Sequence, residues 1–266
     1  MAGDAEVIDN YAVLGNPVSH SLSPRIHRIF AEQTGESLSY RAIELPEDGF
    51  RDGLLALKRE GLRGANVTVP FKRQAWESCD HLSDRASAAG AVNTLSFDED
   101  GAISGDNTDG VGLVRDLTGN LDLSLHKQKI LILGAGGAVR GVLGPLLDLQ
   151  PEEITIANRS LDKAHQLALD FSARGDIRVQ AYADLGDEKF DLIINATAAG
   201  LQKKLPPIDA QILCQTTVCY DMLYSTDEST TFVDWAQGLG VRAHDGLGML
   251  VEQAAESFYI WRKARP

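Results

Sequence analysis

Ile130-Leu131-Ile132-Leu133-Gly134-Ala135-Gly136-Gly137-Ala138 decides the fold. Four consecutive apolar residues are what a parallel strand buried on both faces requires. The glycines behind them let the backbone turn tightly and approach a pyrophosphate, whose charge the N-terminus of the following helix meets. A full G-x-G-x-x-G fingerprint would place glycine at 139, where this chain has Val139, so the turn is read with its surroundings. Strand-like runs recur at 154–157, 177–182, 191–195 and 218–222, the spacing of a Rossmann-like α/β domain. Pro145 falls inside the helical pattern after Gly137 and predicts a kink or break there.

The end of the strand over 154–157 bears on the cofactor. An Asp or Glu there holds the ribose 2′-hydroxyl of NAD. This chain has Asn158-Arg159-Ser160 instead, with Lys163 one turn on. A carboxylate would repel a 2′-phosphate; a guanidinium grips one in fork geometry and a serine donates to it. The position predicts NADP rather than NAD.

The N-terminal half also alternates. Strand-like runs at 11–14, 39–45 and 65–69 separate helical patterns at 24–33, 50–60 and 72–79, which predicts a mostly parallel sheet with covering helices. In Gly64-Ala65-Asn66-Val67-Thr68-Val69-Pro70-Phe71-Lys72, Val67 and Val69 alternate with Asn66 and Thr68, the period-2 pattern of a half-buried strand. Pro70 stops that strand near a helix start, so Asn66, Thr68 and Lys72 gather at one strand end, where α/β folds place ligands. In Ser21-Leu22-Ser23-Pro24, Ser23 and Pro24 read as an N-cap followed by N1. Ser21 is a further hydroxyl, and two hydroxyls at a helix N-terminus suit a carboxylate. Asp109, before Gly110 and the apolar Val111, Leu113 and Val114, either caps a helix or partners Lys72. Residues 93–97 and 102–104, joined by Asp98-Glu99-Asp100-Gly101, read as a hairpin, and the polar stretch 118–128 as a transition to the second domain. At the C-terminus, Leu247, Leu250, Val251, Ala254, Phe258 and Trp261 form an apolar stripe at helical spacing.

These segments together resemble the shikimate dehydrogenase family. The matching motifs run in order along the chain: Gly15-Asn16-Pro17, Ser21-Leu22-Ser23-Pro24, Asn66 to Lys72, Ala91-Val92-Asn93-Thr94 and Asn107-Thr108-Asp109-Gly110. They continue with Gly134 to Ala138, Asn158-Arg159-Ser160, Asn195-Ala196-Thr197, Tyr220-Asp221-Met222 and Gly246-Leu247-Gly248-Met249-Leu250. The resemblance implies an α/β protein of two domains. Residues 1–110 form a substrate-binding domain completed by a returning C-terminal helix over 246–266, and residues 111–245 a Rossmann-like NADP-binding domain. It also implies reversible NADP-linked reduction of 3-dehydroshikimate to shikimate, a step of aromatic amino acid biosynthesis. The cofactor supplies the hydride and the protein a proton path.

Within that resemblance, Lys72 stabilises the charge developing on the carbonyl oxygen and delivers a proton, and Asp109 holds Lys72 and a ring hydroxyl. Ser21, Ser23 and Tyr220 correspond to ligands of the substrate carboxylate. Asn66, Thr68, Asn93 and Gln253 correspond to ligands of the ring hydroxyls or supports of the site. Gly134, Gly136, Gly137, Ala138, Asn158, Arg159, Ser160, Lys163, Thr197, Gly246 and Met249 correspond to the cofactor site. The chain departs from the family at Lys163, where many relatives carry a second arginine, at Ala198-Ala199, where hydroxyl residues are common, and at the acidic Ser225-Thr226-Asp227-Glu228.

Composition narrows the partners. The 266 residues suit two compact domains. Lys and Arg total 25 against 38 Asp and Glu, a net charge of −13, which argues against nucleic acid or an anionic membrane surface as partner. Cys79, Cys214 and Cys219 have no metal-ligand or redox spacing and suggest reduced thiols; no metal is expected. Met1-Ala2-Gly3-Asp4-Ala5-Glu6 lacks the basic and apolar regions of a signal peptide, and no apolar run approaches the roughly 20 residues that cross a bilayer. A cytoplasmic enzyme, monomeric or homodimeric, acting on a small molecule is the expectation. A quinate-preferring or dual-specificity relative is the nearest alternative. A non-catalytic sensor of a nucleotide or small acid is the distant one, disfavoured because a pure binder has no need of Lys72 and Asp109.

Overall fold

The computed structural model describes residues 8–98 and 100–266. The N-terminal stretch Met1–Glu6 and Glu99 of the hairpin loop, both read above, lie outside the described residues. The chain divides into two compact units: residues up to Asp109 together with Val251–Pro266, and Gly110–Leu250.

The first unit runs β1 (Asp9–Gly15), α1 (Ser23–Thr34), β2 (Leu38–Glu44), α2 (Phe50–Arg59), β3 (Leu62–Val67), α3 (Lys72–Glu77), β4 (His81–Leu82), α4 (Asp84–Ala89), β5 (Thr94–Phe97) and β6 (Ile103–Asp106). Its sheet has the order β2-β1-β3-β5-β6-β4. β1 pairs in parallel with β2 and β3, while β5 and β6 form an antiparallel hairpin against β3. As a central strand, β3 buries both faces, so Asn66 and Val67 are both buried and the alternation read from sequence ends at Val67. Val69 is 69% exposed, because Phe71 N–H bonds Thr68 O at 2.9 Å and closes a turn. α1 begins at Ser23, one residue earlier than Ser23 as N-cap would have it, and makes no side-chain cap bond at Leu22. Ser21 Oγ instead accepts from Ser23 N–H at 3.3 Å.

The second unit opens within α5 (Asp109–Arg115), followed by a π-helical turn at Asp116–Asn120. The polar stretch 118–128 therefore lies inside this unit. Then come β7 (Lys129–Leu133), α6 (Gly137–Asp148), β8 (Glu153–Ala157), α7 (Leu161–Asp170), β9 (Ile177–Gln180), β10 (Leu192–Asn195), β11 (Val218–Asp221), α8 (Thr231–Gly238), β12 (Arg242–His244) and α9 (Leu247–Arg262). The sheet order β12-β11-β10-β7-β8-β9, parallel throughout, is the doubly wound nucleotide-binding order. α6 is not broken at Pro145 but runs through it to Asp148. The carbonyl of Gly141, which a residue-145 N–H would otherwise reach, faces Gly110: a Cβ there would come within 2.6 Å of that oxygen and of Pro145 Cγ. Only glycine lets α5 pack so closely.

From Val251 onward α9 belongs to the first unit. Trp261 stacks on Tyr11 with centroids 4.6 Å apart and donates Nε1–H to Leu95 O at 3.0 Å. Among the described residues, no helix is long and apolar enough to cross a membrane.

Candidate active site

In the first unit, Phe71 is buried and stacks on Phe50 at 4.9 Å. That anchor sets the start of α3 and so the position of Lys72, whose carbonyl also accepts from Val92 N–H at 2.9 Å. Lys72 Nζ donates to Asp109 Oδ2 at 2.6 Å, the side chains being 28% and 10% exposed. Asn107 Oδ1 accepts from Asp109 N–H at 3.1 Å, so a neighbour supplies the turn at the start of α5 and leaves the Asp109 carboxylate to Lys72. That decides between the two readings of Asp109.

Asn93 holds the other carboxylate oxygen. Its Nδ2 donates to Asp109 Oδ1 at 2.8 Å and reaches Thr108 Oγ1 and Gln253 Oε1 at 2.9 and 3.2 Å. Its Oδ1 accepts from Thr108 N–H and Thr94 Oγ1, each at 2.9 Å. Asn66 stands opposite Thr94 in the β3–β5 ladder. Asn66 Nδ2 donates to Ser257 Oγ at 2.9 Å, Asn93 O at 3.1 Å and Thr94 Oγ1 at 3.2 Å. Asn66 and Asn93 are thus buried supports with their amides engaged inside the protein. Ser21 and Thr68 are half-buried, and Ser23 is buried. Thr94 and Thr108, quoted above only as motif residues, and Ser257, which stands in no motif, complete the constellation. Only the register of β3 on β5 and the return of α9 reveal them.

In the second unit, Gly134 follows β7 with φ +108°, a conformation that favours glycine. A Cβ on it would sit 3.3 Å from Ala196 O and from Thr197 Cγ2, so the turns after β7 and β10 meet at the point where strand order reverses. Ligands of doubly wound sheets bind there. Thr197 is fixed by Asn195 Oδ1, which accepts from its hydroxyl at 2.7 Å and its N–H at 3.1 Å. Gly136, Gly137 and Ala138 are exposed at the start of α6, while Val139 is buried in the core. Arg159, Ser160 and Lys163 are exposed at and just past the end of β8, where Asn158 Nδ2 bonds Ser160 O at 2.8 Å. Gly246 N–H bonds Leu223 O at 2.9 Å, and Met249 is buried in the core. A glycine turn with open backbone, a helix start behind it and a cationic strand end without a carboxylate fit a dinucleotide carrying a 2′-phosphate.

Tyr220 does not fit the role of substrate-carboxylate ligand. β11 is an internal parallel strand, so Tyr220 is wholly buried. Its hydroxyl donates to Asp116 Oδ2 at 2.6 Å. Burial and that carboxylate push its pKa far up. Tyr224, four residues on, is half-buried past the end of that strand.

Fold and site define an α/β protein with one dinucleotide-binding unit and one unit carrying a half-buried lysine–carboxylate pair. Known proteins agree. The model described as shikimate dehydrogenase substrate binding domain matches residues 13–95, that of shikimate / quinate 5-dehydrogenase residues 116–204, and that of the shikimate 5′-dehydrogenase C-terminal domain residues 246–266. A shikimate dehydrogenase (NADP(+)) of Aromatoleum aromaticum is 53% identical, over 97% of this chain and 94% of the relative. The crystal structure of an Ael1 enzyme from Pseudomonas putida is 42% identical, with TM-score 0.91 over 97% of this chain and 94% of that one. Shikimate 5-dehydrogenase from Thermus thermophilus, in complex with NADP(H) and shikimate, is 33% identical, with TM-score 0.86 over 97% and 95%. The chain belongs to the shikimate dehydrogenase family.

Proposed function

We infer that this protein is an NADP-dependent oxidoreductase that interconverts 3-dehydroshikimate and shikimate in the shikimate pathway. Family membership supports the reaction, and the observation that carries the chemistry is Lys72 held at 2.6 Å by Asp109. A bound nicotinamide supplies the hydride. Lys72, as an ammonium, donates a hydrogen bond to the substrate carbonyl oxygen, stabilises the charge that grows there and delivers the proton that completes the alcohol. In the reverse direction the amine takes that proton back. Asp109 fixes the ammonium and accepts from a ring hydroxyl, and Asn93 fixes Asp109.

Ser21 and Ser23, at the start of α1, receive the substrate carboxylate, aided by the helix N-terminus. Thr68 and Gln253 face the ring hydroxyls, with Asn66 as support. Gly134, Gly136, Gly137 and Ala138 carry the pyrophosphate, Thr197 and Gly246 line the cofactor segment, and Met249 backs it from the core. Arg159 grips the 2′-phosphate with Ser160 and Asn158, and Lys163 adds a point charge. Three free cysteines fit a reducing cytoplasm. The net charge of −13 fits an enzyme of small molecules, monomeric or homodimeric, without a nucleic-acid partner.

The test is reduced-nicotinamide formation from shikimate and from quinate, each with NADP⁺ and with NAD⁺. Rapid turnover with shikimate and NADP⁺ alone is expected. Preference for quinate or NAD⁺ would overturn the specificity, and silence of the folded protein in all four would overturn the reaction.

A further inference from the structure

Tyr40, in β2, belongs to none of the motifs above. Its hydroxyl donates to Asn66 Oδ1 at 2.8 Å. His27 lies flat against it, ring centroids 4.1 Å apart and planes 6° from parallel. Phe30, Phe258 and Trp261 close around the imidazole, which is wholly buried. An aromatic ring clamped this way has little freedom to swing its hydroxyl aside.

The direction of the bonds beyond Tyr40 matters. Tyr40 holds the carbonyl end of the Asn66 amide, so the NH₂ end faces Ser257 Oγ at 2.9 Å, Asn93 O at 3.1 Å and Thr94 Oγ1 at 3.2 Å. The Thr94 hydroxyl has one proton; Ser257 Oγ at 2.8 Å can donate its own to Thr94, whereas Asn93 Oδ1 at 2.9 Å only accepts, which assigns the Thr94 proton to Asn93 in the chain. With its oxygen engaged by Thr94 and by Thr108 N–H, Asn93 turns its NH₂ to Asp109 Oδ1 at 2.8 Å. The other oxygen of Asp109 takes Lys72. Every step donates towards the carboxylate, and an ionised carboxylate only accepts. Buried chains of one polarity reinforce each other, and breaking one link loosens the rest.

We propose that Tyr40, braced by His27, is a positioning residue: it orients a buried hydrogen-bond chain through Asn66, Thr94 and Asn93 that holds Asp109, and through it Lys72, in the reacting geometry. The inference rests on the reading of Lys72 as proton donor. Shape alone does not require it, since a phenylalanine at 40 would stack on His27 equally well. The hydroxyl is what the chain uses.

Tyr40→Phe, Thr94→Val and the double variant test this by steady-state kinetics in both directions. Each single change is expected to lower kcat about tenfold, the scale of one buried hydrogen bond, with KM for NADP⁺ within twofold. Because both cut one chain, the double variant should be no worse than the weaker single by more than about threefold. Single variants within twofold of wild type, or a double variant down by about the hundredfold product of two independent losses, would overturn the proposal. If Tyr40→Phe does not fold, Thr94→Ser beside Thr94→Val decides: serine keeps the hydroxyl and should restore the rate, and failure to do so counts against the chain. Lys72→Ala separates this idea from the one beneath it. Turnover surviving in Lys72→Ala removes the proton donor and this inference with it; a dead Lys72→Ala beside unimpaired Tyr40→Phe and Thr94→Val removes this inference alone.

Discussion

Lys72 Nζ and Asp109 Oδ2 stand 2.6 Å apart although 37 residues separate them along the chain. The contact joins the first residue of α3 to the first residue of α5, and both are set by neighbours with no chemistry of their own. Phe71 anchors one, and Asn107 caps the other. Removing the ammonium should therefore leave the fold intact and affect the reaction.

Lys72→Ala is expected to reduce kcat by about 10²- to 10⁴-fold, the usual contribution of a general acid–base group, while shikimate binding weakens much less. Asp109→Asn keeps the volume but removes the charge that holds Lys72, and should lower kcat in the same range. Stopped-flow or steady-state rates with circular dichroism as a folding control would check both. Turnover within a few-fold of wild type would remove Lys72 from the reaction.

Arg159→Ala should weaken NADP⁺ binding by about ten- to a hundredfold, the worth of a charge-assisted contact at an exposed strand end. NAD⁺, which has no 2′-phosphate, should bind as before. Fluorescence titration with each cofactor gives the ratio, and an equal loss for both would mean that Arg159 acts on something other than the 2′-phosphate.

His27 makes stability depend on pH. Burial pushes its pKa down to about 3 from 6.5. Between those values the unfolded chain binds a proton that the folded chain refuses, so stability falls as pH falls through that window, by at most about 1.4 kcal/mol per unit. Above pH 7 the residue is neutral in both states and adds no slope. Urea unfolding at pH 7 and pH 5 should show wild type losing about 2 kcal/mol more than His27→Phe. Equal losses would mean that the imidazole is protonated in place.

Gly64→Ala should destabilise the first unit by about 1–3 kcal/mol, the range for overpacking a core. A Cβ there would come within 2.6 Å of Leu95 O and 2.7 Å of Trp261 Nε1, and these two atoms already bond each other. Backbone on β5 has no rotamer to escape into. An unchanged melting temperature would show that α9 can shift without loss.

The doubly wound unit was legible because its signals are local. Ile130 to Leu133 are apolar at every position, as β7 must be when helices cover both faces. Glycines at its end and Arg159 at the end of β8 follow within one turn of their strands. Boundaries were less legible: the strand predicted through Val69 stops at Val67, and α6 runs through Pro145. The first follows from a local turn, Phe71 N–H on Thr68 O; the second depends on a distant partner, since Gly110 occupies the space beside the carbonyl that Pro145 leaves without its usual N–H. Tyr220 shows the same limit. A tyrosine near a strand end reads equally as ligand or core, and only the position of β11 between β10 and β12 buries it.

By itself the sequence determined the fold class, most strands of both sheets, the cationic strand end Asn158-Arg159-Ser160 from which NADP is expected, and the residue types able to move a proton. Those properties need only nearest neighbours: periodicity, turn chemistry and the sign of a charge. The tertiary structure decided which carboxylate oxygen Lys72 meets, that Asn107 frees Asp109 from capping, and that Tyr40, Thr94 and Ser257 stand behind the site. Hydrogen-bond direction is a property of pairs, and these pairs form only when the register of β3 on β5 and the return of α9 bring distant polar groups together where water cannot compete for them.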